Sequence, residues 1–179
     1  SIRSAGMSEN SPIQSLREVC SFLDSAEIGY VLVGGLAVSI WAEPRATVDI
    51  DFLVSLDRKN FSVLVRRLHE SGQVVFIHDK PMIFKRISFL RATLKNNTDV
   101  SVDFLFSDDD FKAEALKRRV SVSAFDFSVP IPTPEDLILL KRLSGRPQDI
   151  VDAQKILATR KDELDMDYIR KWEKKLGLT

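Results

Sequence analysis

The sequence has little of what marks secreted, zinc-binding or membrane proteins. Its one cysteine, Cys20, cannot form an internal disulfide, and its two histidines, His69 and His78, are too few and too far apart for a classical zinc site. No apolar run reaches membrane-spanning length, and no secretory signal is visible. We therefore expect a cytoplasmic protein with no membrane partner. We assign Cys20 to core packing, because it lies in a helix-like apolar pattern.

An excess of charge of one sign is also lacking. The 26 basic residues balance the 26 acidic ones, so the net charge does not direct the chain to nucleic acid.

Apolar content of 44% in 179 residues is enough for a buried core, but the length favours one domain over two. We expect a single domain over residues 7–179, with its core over 28–131 and C-terminal helices over 133–177. We assign residues 1–6, before Met7, to an expression scar.

Helix-like and strand-like patterns follow one another along the chain. Ser11 before Pro12 and Thr133 before Pro134 are typical helix starts. Apolar spacing predicts helices over 12–28, 36–41, 57–70, 108–119, 133–143, 148–159 and 165–176. It predicts strands over 30–33, 47–56, 74–77, 83–94 and 100–106, and an extended segment over 120–131. This order predicts a mixed α/β (α+β) fold whose helical mass lies at the C-terminus.

Two carboxylates interrupt the apolar strand predicted at 47–56. Because side chains alternate along a strand, Asp49 and Asp51 lie on one face, about 6–7 Å apart, whereas Val48, Ile50 and Phe52 form a core face. Aspartate is depleted in strands, and two like charges on one face repel. Both can stay ionised only with a cation between them.

The stretch DVSVDFLFS at 99–107 resembles TVDIDFLVS at 47–55 and aligns Asp103 with Asp51. If the two strands are neighbours, three carboxylates converge on one patch. Such oxygen donors suit Mg²⁺, and a pair of these ions stabilises the attacking and leaving oxygens of a phosphoryl displacement.

Gly34 and Gly35 stand between a short strand and a helix. Glycines there let a ligand approach the backbone, and the free N–H groups of the helix start can bind phosphate. From the residues alone a second interpretation stays open, in which the glycines are a tight turn and the aspartates form salt bridges with Arg45 and Lys141. That structural interpretation predicts no metal binding.

The combined motifs resemble the DNA polymerase β-like nucleotidyltransferase superfamily. The likeness rests on the glycine pair at 34–35 after a short strand, a short helix, RATVDID at 45–51, and Asp103 on a later strand. The segment TPEDLILLKRLSGRPQDIVDAQKIL also resembles the Lys…Arg…Asp helix pair of small bacterial members, namely minimal nucleotidyltransferases and abortive-infection-type nucleotidyltransferase toxins. The resemblance implies a mixed, twisted β-sheet flanked by helices.

The resemblance also implies a role for each motif residue. Asp49 and Asp51 would bind two Mg²⁺ ions, or Mn²⁺ in their place. Asp103 would bind one ion and act as general base on the acceptor hydroxyl.

The remaining implied roles concern the nucleotide. The glycine pair would cradle the triphosphate, although the usual motif has Gly-Ser and Gly35 removes one hydroxyl ligand. Arg45 and Lys141 would contact phosphate or nucleotide, while surface ion pairs explain them equally well. We expect Asp149 and Asp152 to serve helix packing and local ion pairs.

The function implied is Mg²⁺-dependent transfer of NMP from an NTP to a hydroxyl acceptor, which could be a protein, an RNA such as tRNA, or a small molecule. The alternative is a non-catalytic nucleotide- or partner-binding module on the same fold, such as one component of a toxin–antitoxin pair with a partner protein. An oligomer is compatible with either, and the sequence does not identify the acceptor.

Overall fold

The computed structural model describes residues 11–44, 49–78 and 80–179, and these form the expected mixed α/β fold. The helices within them are α1 (Pro12–Ser25), α2 (Gly34–Trp41), α3 (Phe61–Ser71), α4 (Asp110–Lys117), α5 (Pro134–Ser144), α6 (Pro147–Arg160) and α7 (Met166–Leu176). The strands are β1 (Tyr30–Val33), β2 (Ile50–Val54), β3 (Val74–Ile77), β4 (Met82–Phe84), β5 (Ile87–Leu94), β6 (Ser101–Phe106), β7 (Val120–Ser123) and β8 (Ser128–Ile131).

A mixed sheet in the order β1-β2-β6-β5-β3 forms the centre of the fold. Strands β2 and β6 are parallel, and the other pairs in the sheet are antiparallel. Strand β3 pairs with the C-terminal half of β5 and β4 with its N-terminal half. The sheet therefore places the two strands with the DFL motif side by side, which is the condition under which the sequence pattern predicted a carboxylate patch.

The predicted single strand over 83–94 is wrong, because the structure has a hairpin there. Strands β4 and β5 pair antiparallel around Lys85 and Arg86, and Lys85 adopts a left-handed backbone with φ of 52°. The continuous β-branched and aromatic pattern hid this turn, which contains neither glycine nor proline. The extended segment over 120–131 is likewise a hairpin of β7 and β8, in which Asp126 has φ of 62°.

The predicted helix over 57–70 is shorter than expected. Asp57 caps a short 3-10 turn by accepting a hydrogen bond from the Asn60 amide, and α3 begins only at Phe61. Other start signals are confirmed, since Ser11 and Thr133 each accept a hydrogen bond at the N-terminus of α1 and α5. No helix in the described ranges is long and apolar enough to cross a membrane.

Both faces of the central sheet are buried, against different helices. Ile50, Phe52 and Val54 of β2 pack on one side with α1 and α3, as predicted, and buried Cys20 lies in this layer. Leu53 faces the other side, where it is fully buried with α4–α7. Burial raises the pKa of Cys20 to about 11, which fits core packing rather than nucleophilic chemistry.

Candidate active site

The two aspartates of the matching strands lie opposite each other. In the parallel pair β2–β6, Asp51 is in register with Asp103, and in β1–β2 Val33 is in register with Asp51. Because neighbouring strands lie about 4.8 Å apart, this register brings the two carboxylates onto one patch of the same sheet face. Asp49 lies two residues before Asp51 and lines the same cleft.

Gly34 makes room for the Asp51 carboxylate. It begins α2 with a left-handed φ of 72°, and a Cβ at this position would lie 2.1 Å from Asp51 Oδ2. No side chain caps the N-terminus of α2. The glycine therefore lets the helix start approach the carboxylate, and the side chain of any other residue would displace it.

The carboxyl group of Asp51 has a raised pKa. Burial, followed by the charges of Asp103 and Asp49, raises its pKa from 3.8 to about 7, against the opposing effect of Lys141 and Arg146. The protonated form of Asp51 is thus favoured chiefly by burial and also by two neighbouring carboxylates. A bound cation would relieve the repulsion between these carboxylates.

Asp103 has a partner that the sequence reasoning missed. Arg91 on β5 lies opposite Asp103 and donates two hydrogen bonds to its carboxylate, from Nε at 2.8 Å and from the NH2 group at 2.9 Å. The pKa of Arg91 is raised chiefly by this interaction. The alternation along β5 could have suggested that Arg91 shares the face of Phe89, but nothing in the sequence pairs it with Asp103.

Lys141 extends from α5 to the N-terminal half of α6. It is buried, and its Nζ lies 2.9 Å from Asp152 and 3.3 Å from Asp149. The interpretation of Lys141 as a surface ion pair is therefore wrong, and its carboxylate partners are these helix aspartates rather than the strand aspartates. The expectation that Asp149 and Asp152 form local ion pairs is confirmed.

Arg146 is a second cation that the sequence reasoning missed. It precedes α6, and Asp149 accepts hydrogen bonds from its backbone N–H at 3.2 Å and its Nε at 2.9 Å. About 64% of its side chain stays exposed. A basic residue between a glycine and a proline at a helix junction was the available signal. Asp149 thus orients Lys141 and Arg146 together.

These groups line one cleft of about 700 Å³. Of the residues predicted from the sequence, the cleft brings together the glycine pair, the three strand aspartates and Lys141. Arg45 lies outside the described residues. Arg91 and Arg146 complete the charged half, and apolar side chains of β4 and β5 form the other half.

The donor chemistry of the cleft fits a hard divalent cation. The cleft holds three carboxylates, and carboxylate oxygens are ligands that Mg²⁺ prefers. In the described part of the chain, no three His, Cys, Asp or Glu side chains are already arranged around one point as a metal site. Asp103 gives its oxygens to Arg91, yet each carboxylate oxygen has a second lone pair for another ligand.

The family profile described as "Nucleotidyltransferase of unknown function (DUF6036)" matches residues 13–175. The chain belongs to this family and is a nucleotidyltransferase. It is therefore an enzyme of the transferase class, and the recognition from its sequence motifs is confirmed. No protein of curated function matches the sequence significantly.

Solved structures share the fold at low sequence identity. One is ANT(2")-Ia in complex with adenylyl-2"-tobramycin, with 12% identity, a TM-score of 0.58, and coverage of 92% of this chain and 98% of that chain. Another is the lincosamide antibiotic adenylyltransferase LnuA with lincomycin bound, with 16% identity, a TM-score of 0.51, and coverage of 80% and 94%. An antigenic nucleotidyltransferase-like protein from Paracoccidioides brasiliensis has 18% identity, a TM-score of 0.54, and coverage of 83% and 74%.

Proposed function

We propose that the protein transfers NMP from an NTP to a hydroxyl acceptor in a reaction that depends on Mg²⁺, for which Mn²⁺ can substitute. The observation that carries the proposal is the in-register pair Asp51–Asp103 with the Gly34 backbone against it. This carboxylate pair faces a helix start that has no side-chain cap. Such an arrangement is suited to a cation and a polyphosphate together.

Asp49, Asp51 and Asp103 would hold the divalent ions. When bound, these ions would neutralise charge on the triphosphate and on the attacking and leaving oxygens. Asp103 accepts the proton of the acceptor hydroxyl through a lone pair that Arg91 does not use. The acceptor oxygen forms a bond to the α-phosphorus while the bond from that phosphorus to the bridging oxygen breaks, and pyrophosphate leaves.

The phosphates would be bound by the helix start beside Asp51 and by two cations of the same cleft. The amides of Gly34 and Gly35 donate to phosphate oxygens, and Lys141 and Arg146 supply positive charge. Asp149 orients both cations, so their heads need little reorganisation when the nucleotide enters. We keep Arg45 as a proposed phosphate contact on the resemblance alone.

A small molecule is the acceptor class we favour over protein and RNA. Two proteins of this fold are adenylyltransferases whose structures contain lincomycin or adenylyl-2"-tobramycin. The cleft volume of about 700 Å³ also lies within the range of small-molecule sites.

A thermal-shift titration with each NTP, with and without Mg²⁺, tests the proposal. A ligand at 100 times its Kd stabilises the folded state by about 2.7 kcal/mol, which raises Tm by about 5–10 °C in a chain of this size. We expect this shift in the wild type with Mg²⁺ and its loss in the double variant Asp49→Ala/Asp51→Ala.

Asp167→Ala is the matched control, because Asp167 is an aspartate on α7 with 94% of its side chain exposed. It should retain the full shift. A shift of equal size in the double variant, or a shift that does not need a divalent ion, would refute the assigned site.

A further inference from the structure

The cleft has an apolar half that the transfer chemistry leaves without a role. Met82 and Phe84 of β4 pair with Phe89 and Ile87 of β5, and we call these four residues the apolar wall. All four line the cleft. Leu140 of α5 lies across from them in the same lining.

The apolar wall is only partly used as core. Phe84 is 42% exposed, and the neighbouring Ile83 on the same short strand is 62% exposed. Contiguous exposed apolar side chains at the rim of a cleft are characteristic of a binding surface. The hairpin that carries them is held in place, because Lys85 Nζ lies 3.4 Å from the Gly145 carbonyl and Arg86 hydrogen-bonds the Leu176 carbonyl.

The strand register locates the apolar wall on one side of the reaction centre. Across the sheet the order is Val33, Asp51, Asp103, Arg91. The phosphate-binding glycines follow Val33, at one end of this row. Phe89 lies two residues before Arg91, about 6–7 Å along β5, at the other end. The wall therefore adjoins Asp103, the base proposed for the acceptor, and lies across the sheet from the phosphate cradle.

Two cations lie beside the rings of the apolar wall. Lys85 Nζ lies 5.6 Å from the centre of the Phe84 ring, and the Arg91 guanidinium lies 5.6 Å from that of Phe89. Arg91 is paired with Asp103, so its guanidinium contacts the wall without adding net positive charge.

From this arrangement we propose that the apolar wall is the acceptor subsite of the transferase. The acceptor is a small hydroxyl compound with an apolar ring. The inference rests on the proposed function for the transfer step, while the binding of the ring rests on the wall alone. An RNA end is disfavoured because a strand would need further basic contacts, and Lys85 and Arg86 already bind backbone carbonyls.

The probes are ethanol, benzyl alcohol and 2-naphthalenemethanol, which share one hydroxyl and differ in apolar area. Their Kd is measured by NMR titration on the full chain with Mg²⁺ and an NTP analogue that cannot be cleaved. We expect affinity to increase about tenfold per added ring in the wild type. In Phe84→Ser this dependence should fall to less than about threefold.

Val75→Ser is the matched control. Val75 is also a strand residue of the sheet, is 62% exposed and does not line the cleft, so this variant should behave as wild type. Equal ring dependence in Phe84→Ser and wild type would overturn the proposal. Tighter binding of tobramycin or of a short RNA with a free 3′-hydroxyl than of 2-naphthalenemethanol would also overturn it.

The same variants separate this inference from the proposed function. If Phe84→Ser weakens NTP binding as strongly as alcohol binding, the apolar wall holds the nucleobase and the acceptor assignment fails. If the wild type binds no NTP at any Mg²⁺ concentration, the proposed function fails, but the alcohol titration still decides whether the wall is a ring-binding site. A wild-type dimer that becomes a monomer in Phe84→Ser would assign the wall to self-association instead.

Discussion

At the scale of single residues, the cleft depends on the close approach of the α2 backbone to the Asp51 carboxylate, which only glycine at position 34 permits. Gly34 and Gly72 have nearly the same left-handed φ, 72° and 68°, but their surroundings differ. A Cβ at Gly34 would meet Asp51 Oδ2 at 2.1 Å, whereas a Cβ at Gly72 would meet nothing within 4 Å. Substitutions at these two glycines therefore separate the effect of backbone strain on stability from the effect of displacing a carboxylate.

We expect Gly72→Ala to lower stability by about 1 kcal/mol through backbone strain alone, with NTP binding unchanged. Gly34→Ala carries the same strain and also moves the Asp51 carboxylate, so we expect the Mg²⁺-dependent NTP shift to disappear. Thermal melts of both variants with and without Mg²⁺ and NTP provide the measurement. A normal ligand-induced shift in Gly34→Ala would show that the position of Asp51 is not critical.

The raised pKa of Asp51 predicts that its ionised carboxylate, which metal binding needs, lowers the stability of the metal-free protein. Its folded-state pKa of about 7 exceeds the ordinary value of 3.8, so its contribution to stability is fully present below pH 3.8 and is lost as pH rises through 7. Asp51→Asn cannot ionise, and without metal it should be more stable than wild type by about 2 kcal/mol at about pH 8. Near pH 4 the two proteins should have similar stability.

The same titration governs metal binding, because the ion competes with the proton on Asp51. Below pH 7 the Mg²⁺ affinity should fall about tenfold per pH unit, and Asp51→Asn should remove this dependence together with the binding. Urea denaturation at several pH values and Mg²⁺ titrations measure the two effects. Wild-type stability that does not decline from acid to neutral pH, relative to Asp51→Asn, would contradict the assignment.

At the scale of elements, a buried polar cluster joins α7 to α5, in addition to the apolar contacts of Ile169. Asp136 on α5 is fully buried and accepts hydrogen bonds from Tyr168 Oη at 2.5 Å and from Arg118 Nε at 3.2 Å. The Arg118 guanidinium also lies 3.6 Å from the centre of the Tyr168 ring. None of the three residues lines the active-site cleft. This cluster therefore serves the architecture and leaves the chemistry to α5 and α6.

Tyr168→Phe removes one hydrogen bond to Asp136 and keeps the contact of the ring with Arg118. Hydrogen bonds to charged groups contribute about 1.5–3 kcal/mol, so Tm should fall by about 3–10 °C. The Mg²⁺- and NTP-dependent shift should keep its wild-type size. A loss of nucleotide binding in this variant would mean that α7 positions the cleft residues as well as stabilising the domain.

At the scale of the whole molecule, period-two alternation and the repeated DFL motif predicted a carboxylate patch on condition that the two strands with this motif are neighbours. Confirmation came from the register of Asp51 with Asp103. The hairpin at Lys85 was missed, because a positive φ at a lysine leaves no mark in the pattern. Arg91 was missed because it meets Asp103 only through strand register. Arg146 was missed although Asp149 is only three residues away, because the sequence does not show that this helix junction lines the cleft. Local sequence thus identified the aspartates, the glycine pair and Lys141, whereas the place of the two arginines in the cleft required the fold.

The two core layers on either side of the sheet should contribute equally to stability but unequally to the site. Leu23 on α1 and Ile156 on α6 are both fully buried, in opposite layers. Truncation of either to alanine should cost about 2–5 kcal/mol. Only the layer of Ile156 supports the helices that carry Lys141 and Arg146, so only Ile156→Ala should weaken NTP binding, by about threefold or more. Urea denaturation and calorimetric NTP titration of both variants give the comparison. Equal weakening of NTP binding in Leu23→Ala would show that the sheet transmits strain between its faces.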